Sequence, residues 1–256
     1  MASTPFEYKR KVNIKNKKNR KKPTFVSVAW GETKQIFRTS NLFYGILAMA
    51  VITPILILLQ NQIFASMDKR LSGQIMALVF NILIIMLLML SSSSNFASLF
   101  SKEGNSGYLT KTMPTNPAKI LLAKPIFQIC VFSISILACA LILRAYAGIT
   151  AGQATLLFFA MFFVYIAHAC WSLEFDLMNP QNRLYQTSGK QLKNPNESKS
   201  IILGFVVSVL FTFVAYFFMG ENIQTTFVKI FFIGLLFASV RIMFLIRRIK
   251  IYYKEK

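Results

Sequence analysis

Six stretches of apolar residues recur along the 256-residue chain, and each is long enough to cross a lipid bilayer. A spanning helix needs about 20 mainly apolar residues, because each residue rises about 1.5 Å and the hydrocarbon core is about 30 Å thick. The composition agrees, since 55% hydrophobic residues are too many for a soluble surface. The predicted fold is an all-α polytopic membrane protein with six spans at about 42–64, 75–98, 120–143, 153–173, 200–219 and 225–246.

The basic residues predict the orientation of these spans. An even number of spans places both termini on one side of the membrane, together with the two long polar links at 101–119 and 174–199. Of the 29 Lys and Arg residues, 24 lie on that side. Because cytoplasmic loops carry the excess of Lys and Arg, we expect a multi-pass protein of the cell membrane with both termini cytoplasmic.

Residues 1–24 form a basic tail ahead of the transmembrane domain, which covers residues 25–256. Nine basic residues lie between Lys9 and Lys22, and such a density could indicate nucleic-acid binding. However, a tail tethered to the membrane meets lipid first, and each basic residue near an anionic leaflet gains about 1 kcal/mol. We therefore expect anionic lipids, and no nucleic acid, as partners of the tail.

The segment that leads into the first span has an amphipathic pattern. Its apolar residues recur at near-helical spacing, and Lys34 and Arg38 lie among the polar positions. This pattern predicts a helix lying in the membrane interface, and a merely polar lead-in to the span is the alternative. The apolar residues are Phe25, Val28, Ala29, Ile36 and Phe37.

The link between the second and third spans predicts a short helix between two turns. Glycine suits the C-terminal cap of a helix, so the second span should end near residue 104. Apolar and aromatic side chains are then mixed with lysine and threonine, and Pro117 lies in the first turn of the helix that follows. We predict a short cytoplasmic helix that lies parallel to the membrane and ends at Pro114, with an ordinary interfacial loop as the alternative. The candidate residues are Glu103, Gly104, Tyr108, Leu109, Met113, Pro114, Pro117 and Lys119.

This link resembles the segment between spans two and three of ABC-2 type transporter permeases. The common form there is close to S-x-E-G-K, an apolar-aromatic stretch, a Leu-Pro-hydrophobic-Ser-Pro element and an I-L-x-x-K run. The elements that match in this chain are Glu103-Gly104, Pro114, Pro117, Ile120-Leu121-Leu122 and Lys124.

Two further stretches extend the resemblance over roughly residues 30 to 200. Residues 34–40 are similar to an R-T-P-like element before the first span, with Ser40 in the place of the proline. After the fourth span, Asp176 and Pro180 resemble a D-x-x-x-P run, and residues 193–196 resemble the Lys-Asn-x-Asn element that follows it. The aromatic position expected between these two elements falls here on residues 183–185.

The resemblance implies a transmembrane subunit of an ABC exporter. In such families the helix between spans two and three docks into a groove of a separate ATPase, and closure of two ATPases rocks two paired permeases between inward- and outward-facing states. The implied partners are an ABC ATPase and a second permease unit, in a homodimer or a heterodimer. ATP and Mg²⁺ would bind to the ATPase, because this chain has no G-x-x-x-x-G-K-[ST] motif. We expect the chain itself to be no enzyme and to hold no cofactor or metal.

Three polar residues lie inside the predicted spans, where an ionisable group costs about 2.5 to 3.5 kcal/mol. His168 could line a path, but a neutral ring bonded to a neighbouring helix is the favoured interpretation. Asn81 is expected to bond between helices. Arg241 could pair with an acid of another helix, but snorkelling toward the cytoplasm is slightly favoured. Glu174 and Asp176 are expected at the cytoplasmic mouth, solvated or in a salt bridge.

Other functions are compatible with six spans. A secondary transporter would need acids at mid-span, and a membrane-bound enzyme would need convergent His, Asp, Glu or Cys groups. The chain has one His and three scattered Cys. A non-transporting immunity or anchor protein with a permease-like fold stays open, since it could differ only in its partner. The acids near the spans all fall at span ends, namely Asp68, Glu174, Asp176 and Glu221.

Overall fold

The computed structural model describes residues 24–65, 71–102, 117–185, 194–221 and 223–254. Within these ranges the regular structure is helical. Six of the described helices are long and apolar enough to cross a membrane, which confirms the predicted number and order of spans and makes the chain a multi-pass membrane protein. The spans are Leu42–Phe64, Gly73–Ser98, Ile126–Tyr146, Ala151–Met178, Pro195–Gly220 and Thr225–Ile251.

The α-helices are numbered here in chain order. Short 3₁₀ helices follow two of them, at Ser93–Ser98 after α3 and at Asn182–Tyr185 after α6. The α-helices are α1 Thr24–Arg38, α2 Ser40–Phe64, α3 Leu71–Ser92, α4 Pro117–Ala123, α5 Ile126–Tyr146, α6 Ala151–Met178, α7 Pro195–Glu221 and α8 Ile223–Lys254.

The third span begins later than the sequence predicts. The apolar pattern suggested a start near residue 120, but α4 ends at Ala123 and α5 begins at Ile126. Pro125 lies at the break, where it lacks an N–H to donate and its ring opposes a continuous helix. The chain therefore turns between a short helix and the span proper.

The second span loses its α-helical geometry near its end. The hydroxyls of Ser91 and Ser92 donate to the carbonyls three residues earlier, at 2.9 and 2.7 Å, and the Ser93 hydroxyl oxygen lies 2.8 Å from the carbonyl oxygen of Leu90. Such side-chain bonds compete with the helical ladder, and the α-helix gives way to a 3₁₀ helix at Ser93. Ser91 and Ser92 thus bond their own helix.

The bundle is built around α6. Of its most apolar window, 61% is buried inside the protein, against 17% for α2. It packs against α3, α5, α7 and α8, and the rings of Phe132 on α5 and Tyr165 on α6 lie 5.9 Å apart. Side chains from the other spans therefore converge on this central helix.

A glycine permits the closest packing of α6. A Cβ atom added at Gly234 on α8 would lie 2.9 Å from the carbonyl oxygen of Ala160, which is closer than real Cβ contacts. Helices in a bilayer associate through such close approach of small residues, because lipid tails are as apolar as the side chains they replace. The glycine therefore sets the distance between the two helices.

The predicted amphipathic segment forms α1, but its apolar residues do not share one face. Val28, Ala29 and Ile36 are partly buried, whereas Trp30 and Phe37 are 57% and 56% exposed. The Phe37 ring still touches the rings of Phe43 and Phe127, with centroids 4.9 and 5.5 Å away. The helix thus contacts the bundle and also presents apolar side chains outward.

Candidate functional site

Most of the predicted coupling residues lie outside the described part of the chain. These are Glu103, Gly104, Tyr108, Leu109, Met113 and Pro114. Pro117 is the first residue of α4, as predicted, and Lys119 is exposed two residues later. The basic tail, residues 1–23, is also outside the described ranges, while the residues that flank the coupling segment are described in detail.

Asp176 holds the end of the second span. Its Oδ2 accepts hydrogen bonds from the backbone N–H groups of Phe100 and Ser101, at 2.6 and 3.0 Å, and its Oδ1 accepts one from the Ser101 hydroxyl. Asp176 and Ser101 have no exposed surface. The prediction of a solvated mouth is therefore wrong for Asp176, because three protein donors take the place of water.

Residues after α6 and at the start of α7 surround this contact. The Ser101 hydroxyl accepts from the N–H of Gln181 at 2.8 Å. The Asn196 side chain donates to the carbonyl of Asn179 at 2.8 Å, and the Asn196 N–H donates to the Asn194 side chain at 2.9 Å. The Gln181 side chain donates to the Asn179 carbonyl at 3.5 Å, which joins these contacts into one network that we call the Asp176 cluster. Its members are Ser101, Asp176, Asn179, Gln181, Asn194 and Asn196.

Tyr185 extends the cluster to the surface. Asn194 donates from its side chain to the Tyr185 hydroxyl at 3.3 Å. Partial burial raises the pKa of Tyr185 above its usual value, so the phenol stays neutral at physiological pH. The aromatic position that the resemblance expects in this region therefore contributes a neutral acceptor to the network.

His168 lies deeper in the bundle and links three helices. Its Nε2 is 3.0 Å from the carbonyl oxygen of Ser200 on α7, and its Nδ1 is 2.6 Å from the hydroxyl of Ser93. A carbonyl can only accept, so Nε2 carries the proton and Nδ1 of a neutral ring accepts from Ser93. A Cβ added at Gly204 would lie 3.1 Å from Nε2. The interpretation of His168 as a histidine bonded to neighbouring helices is confirmed.

Arg241 pairs with Glu174 and does not snorkel. Its guanidinium bonds the Glu174 Oε2 and lies 4.0 Å from the centroid of the Trp171 ring. The side chains of Arg241 and Glu174 are only 13% and 8% exposed. The preference for snorkelling was wrong. Glu174 on α6 lies at the same depth in the bundle as Arg241 on α8, and a buried charge is stabilised by a partner of opposite charge. The salt-bridged alternative for Glu174 is confirmed, and solvation is excluded.

Asn81 bonds between helices as predicted. Its amide and that of Asn61 on α2 exchange two hydrogen bonds, both 3.1 Å long. Each amide also donates to a carbonyl of its own helix, to Ile57 at 2.7 Å and to Ala77 at 2.8 Å. The pair therefore joins α2 to α3 with its amide donors satisfied.

Lys124, which belongs to the I-L-x-x-K match, was not predicted to be buried. Its side chain is 4% exposed, and its Nζ lies 3.5 Å from Glu32 on α1. Burial lowers the pKa of Lys124, although the Glu32 carboxylate opposes the shift. A basic residue at the edge of a predicted span, with an acid in the amphipathic helix before span one, could have signalled this pair. The contact attaches α1 to the bundle.

The buried polar side chains described above bond groups on neighbouring helices. No group of three or more His, Cys, Asp or Glu side chains in the described ranges could hold a metal ion. No family model matches the chain, and no curated protein or solved structure matches it either. The fold and the contacts define the class on their own, a six-span helical membrane protein with a buried polar cluster beside a polar link.

Proposed function

We propose that the chain is the transmembrane permease subunit of an ABC-2 type exporter, in which a separate ATPase drives alternating access. The observation that supports this proposal most is the bond between Asp176 and Ser101. These residues belong to two stretches that resemble this class of permease and lie 75 residues apart in the chain. Two stretches that act together in coupling the ATPase to the bundle must contact each other, and this bond is such a contact.

The Asp176 cluster would carry force from the ATPase into the bundle. The proposed coupling residues begin at Glu103, two positions after Ser101. Buried hydrogen bonds attach Ser101 to α6, and α6 packs closely on α8 at Gly234. Because packed helices move as rigid elements, a displacement of the link would move α6 and α8 with it.

The proposed placement puts both termini and the coupling segment in the cytoplasm. The exposed Trp30 and Phe37 of α1 suit an interfacial helix, since aromatic side chains favour the headgroup level. The basic tail before it would contact anionic lipids. A second six-span unit would complete the transport path, and ATP and Mg²⁺ would bind to the ATPase partner.

Co-purification tests the coupling assignment. Tyr108→Ala with Leu109→Ala removes the two proposed anchors, and we expect the partner ATPase to be lost from the purified complex. The matched control is Leu141→Ala with Tyr146→Ala, because both residues are exposed near the opposite end of α5. The purified chain alone should hydrolyse no ATP. Equal retention of the ATPase by both double variants would refute the docking assignment.

Cysteine labelling tests the orientation separately. Cys130 is exposed, whereas Cys139 and Cys170 are buried, so Cys130→Ser removes the accessible native thiol. A cysteine introduced by Ser106→Cys should then react with an impermeant maleimide only in inverted vesicles. Labelling in intact cells would place the link on the outer face, where a cytoplasmic ATPase could not reach it.

A further inference from the structure

A cavity of about 280 Å³ lies where α1, the start of α2, the 3₁₀ end of the second span and the start of α5 meet. One part of its wall is apolar, from residues such as Ile36 and Phe96. The other part carries charges and amides. The polar lining residues are Glu32, Gln35, Asn95, Lys102, Lys124 and Gln128.

Three spans end at the level of this cavity. The first span begins at Leu42, the second ends at Ser98 and the third begins at Ile126, and residues adjacent to each of these positions line the cavity. The ends of membrane spans lie at the boundary between hydrocarbon and headgroups. The cavity is therefore at the depth of lipid headgroups.

The cavity lining carries charges of both signs, from the ammonium groups of Lys102 and Lys124 and the carboxylate of Glu32. Lys124 lies 3.5 Å from Glu32, and Lys102 lies 3.7 Å from Glu197 at the start of α7. Glu197 lies outside the lining, so Glu32 is the carboxylate that the cavity wall presents. A ligand with one negative and one positive group would therefore find a counterpart for each.

We propose that this cavity binds the headgroup of phosphatidylethanolamine. The phosphate lies toward Lys102 and Lys124, where the amides of Asn95 and Gln128 add hydrogen-bond donors. The primary ammonium of the lipid donates to Glu32. A choline headgroup has no N–H to donate, and a glycerol headgroup has no positive charge, so both leave the carboxylate without a new partner.

The size of the cavity fits a headgroup alone. Pockets for drug-sized ligands measure roughly 300 to 1,000 Å³, and this cavity lies just below that range. The acyl chains would therefore stay in the bilayer. A lipid held in this way would bridge α1 to the ends of the second and third spans, beside the segment that the proposed ATPase would contact.

Native mass spectrometry of the full-length, delipidated chain tests the proposal. The probes are phosphatidylethanolamine, phosphatidylcholine and phosphatidylglycerol with identical acyl chains. We expect one tightly bound phosphatidylethanolamine per chain, with about tenfold weaker binding of the other two, the difference that one hydrogen bond to a charged group makes.

Two variants and one control locate the binding. Glu32→Gln should bring phosphatidylethanolamine and phosphatidylcholine to equal affinity, and Lys102→Gln should weaken both. Both side chains are partly exposed, at 24% and 31%, and thermal unfolding of each variant in detergent checks that it is folded. Lys34→Gln is the matched control, because Lys34 is an exposed residue of the same helix as Glu32, and it should bind as the parent does.

Other outcomes would overturn the proposal. Equal binding of the three lipids by the parent chain would show a non-selective lipid annulus. Equal effects of Glu32→Gln and Lys34→Gln would place the lipid elsewhere. Displacement of the bound lipid by millimolar inorganic phosphate would make the cavity a free-anion site. These measurements need no ATPase, so their failure leaves the proposed exporter function untouched.

Discussion

The two halves of α6 pack by different means. In residues 151–164 the buried side chains are apolar and mostly small or flexible, and Ala160 lets Gly234 approach its backbone. In residues 165–178 the buried set includes His168, Glu174 and Asp176. The first half therefore packs through close contact of small and apolar side chains. The second half also makes hydrogen bonds and an ion pair.

The difference shows how one helix can serve two purposes in a membrane. Close packing holds helices together without specifying exact partners, because many small residues would fit. A buried acid demands particular donors, and therefore determines which residues of neighbouring helices lie beside it. The polar half lies beside the proposed coupling segment, where a fixed register would matter most.

Breaking the ion pair should have the largest effect on the polar half. Arg241→Met leaves the buried Glu174 carboxylate without its cation, and we expect a loss of about 3 to 5 kcal/mol in unfolding free energy. Unfolding in mixed detergent micelles, followed by Trp fluorescence, measures it. Arg247→Met is the control, since Arg247 is exposed on the same helix. Adding Glu174→Gln should recover part of the loss, and a purely additive double variant would contradict a direct pair.

Weakening the Asp176 cluster should have the next largest effect. Asp176→Asn replaces a charged acceptor with an amide whose NH₂ group faces backbone donors, at a cost of about 1.5 to 3 kcal/mol. Hydrogen exchange should accelerate at the N–H groups of Phe100 and Ser101, which lose their acceptor. Exchange in α2, far along the chain from this contact, should not change. If those two amides kept their protection, the cluster would not hold the end of the second span.

Adding one methyl group at Gly234 tests the close packing of the apolar half of α6, residues 151–164. Gly234→Ala places a Cβ about 2.9 Å from the Ala160 carbonyl oxygen, and overpacking of this kind costs about 1 to 3 kcal/mol. Gly45→Ala is the matched control, because a Cβ there would meet nothing within 4 Å. Thermal unfolding in detergent compares the two variants. A stability of Gly234→Ala equal to that of the control would show that the two helices can separate freely.

A neutral hydrogen bond in the polar half should contribute least. Ser172→Ala removes the 2.6 Å contact with the Ser200 hydroxyl, and neutral bonds between membrane helices average about 0.6 kcal/mol. The same detergent unfolding assay measures this loss. If the loss of stability for Ser172→Ala exceeded that for Arg241→Met, the charged groups would not be what distinguishes the polar half of α6 from the apolar half.

Sequence reasoning predicted the parts of the site that depend on local chemistry. The apolar pattern located six spans, and the polar groups of Asn81 and His168 were expected to bond between helices. It did not foresee the burial of Asp176, because that depends on donors at residues 100 and 101, which are distant in sequence. It also preferred snorkelling for Arg241, since the depth of Glu174 relative to α8 is a property of the packed bundle.

The sequence by itself determined the class of fold, six helices that cross a membrane. The cost of placing a residue in hydrocarbon depends on its own side chain, so composition along the chain is sufficient to locate the spans. Only the tertiary structure decided the partners of the buried charges, Asp176 with Ser101, Glu174 with Arg241 and Lys124 with Glu32. A charge withdrawn from water is stabilised by whichever group lies within a few ångströms of it, and that proximity arises only when the helices pack.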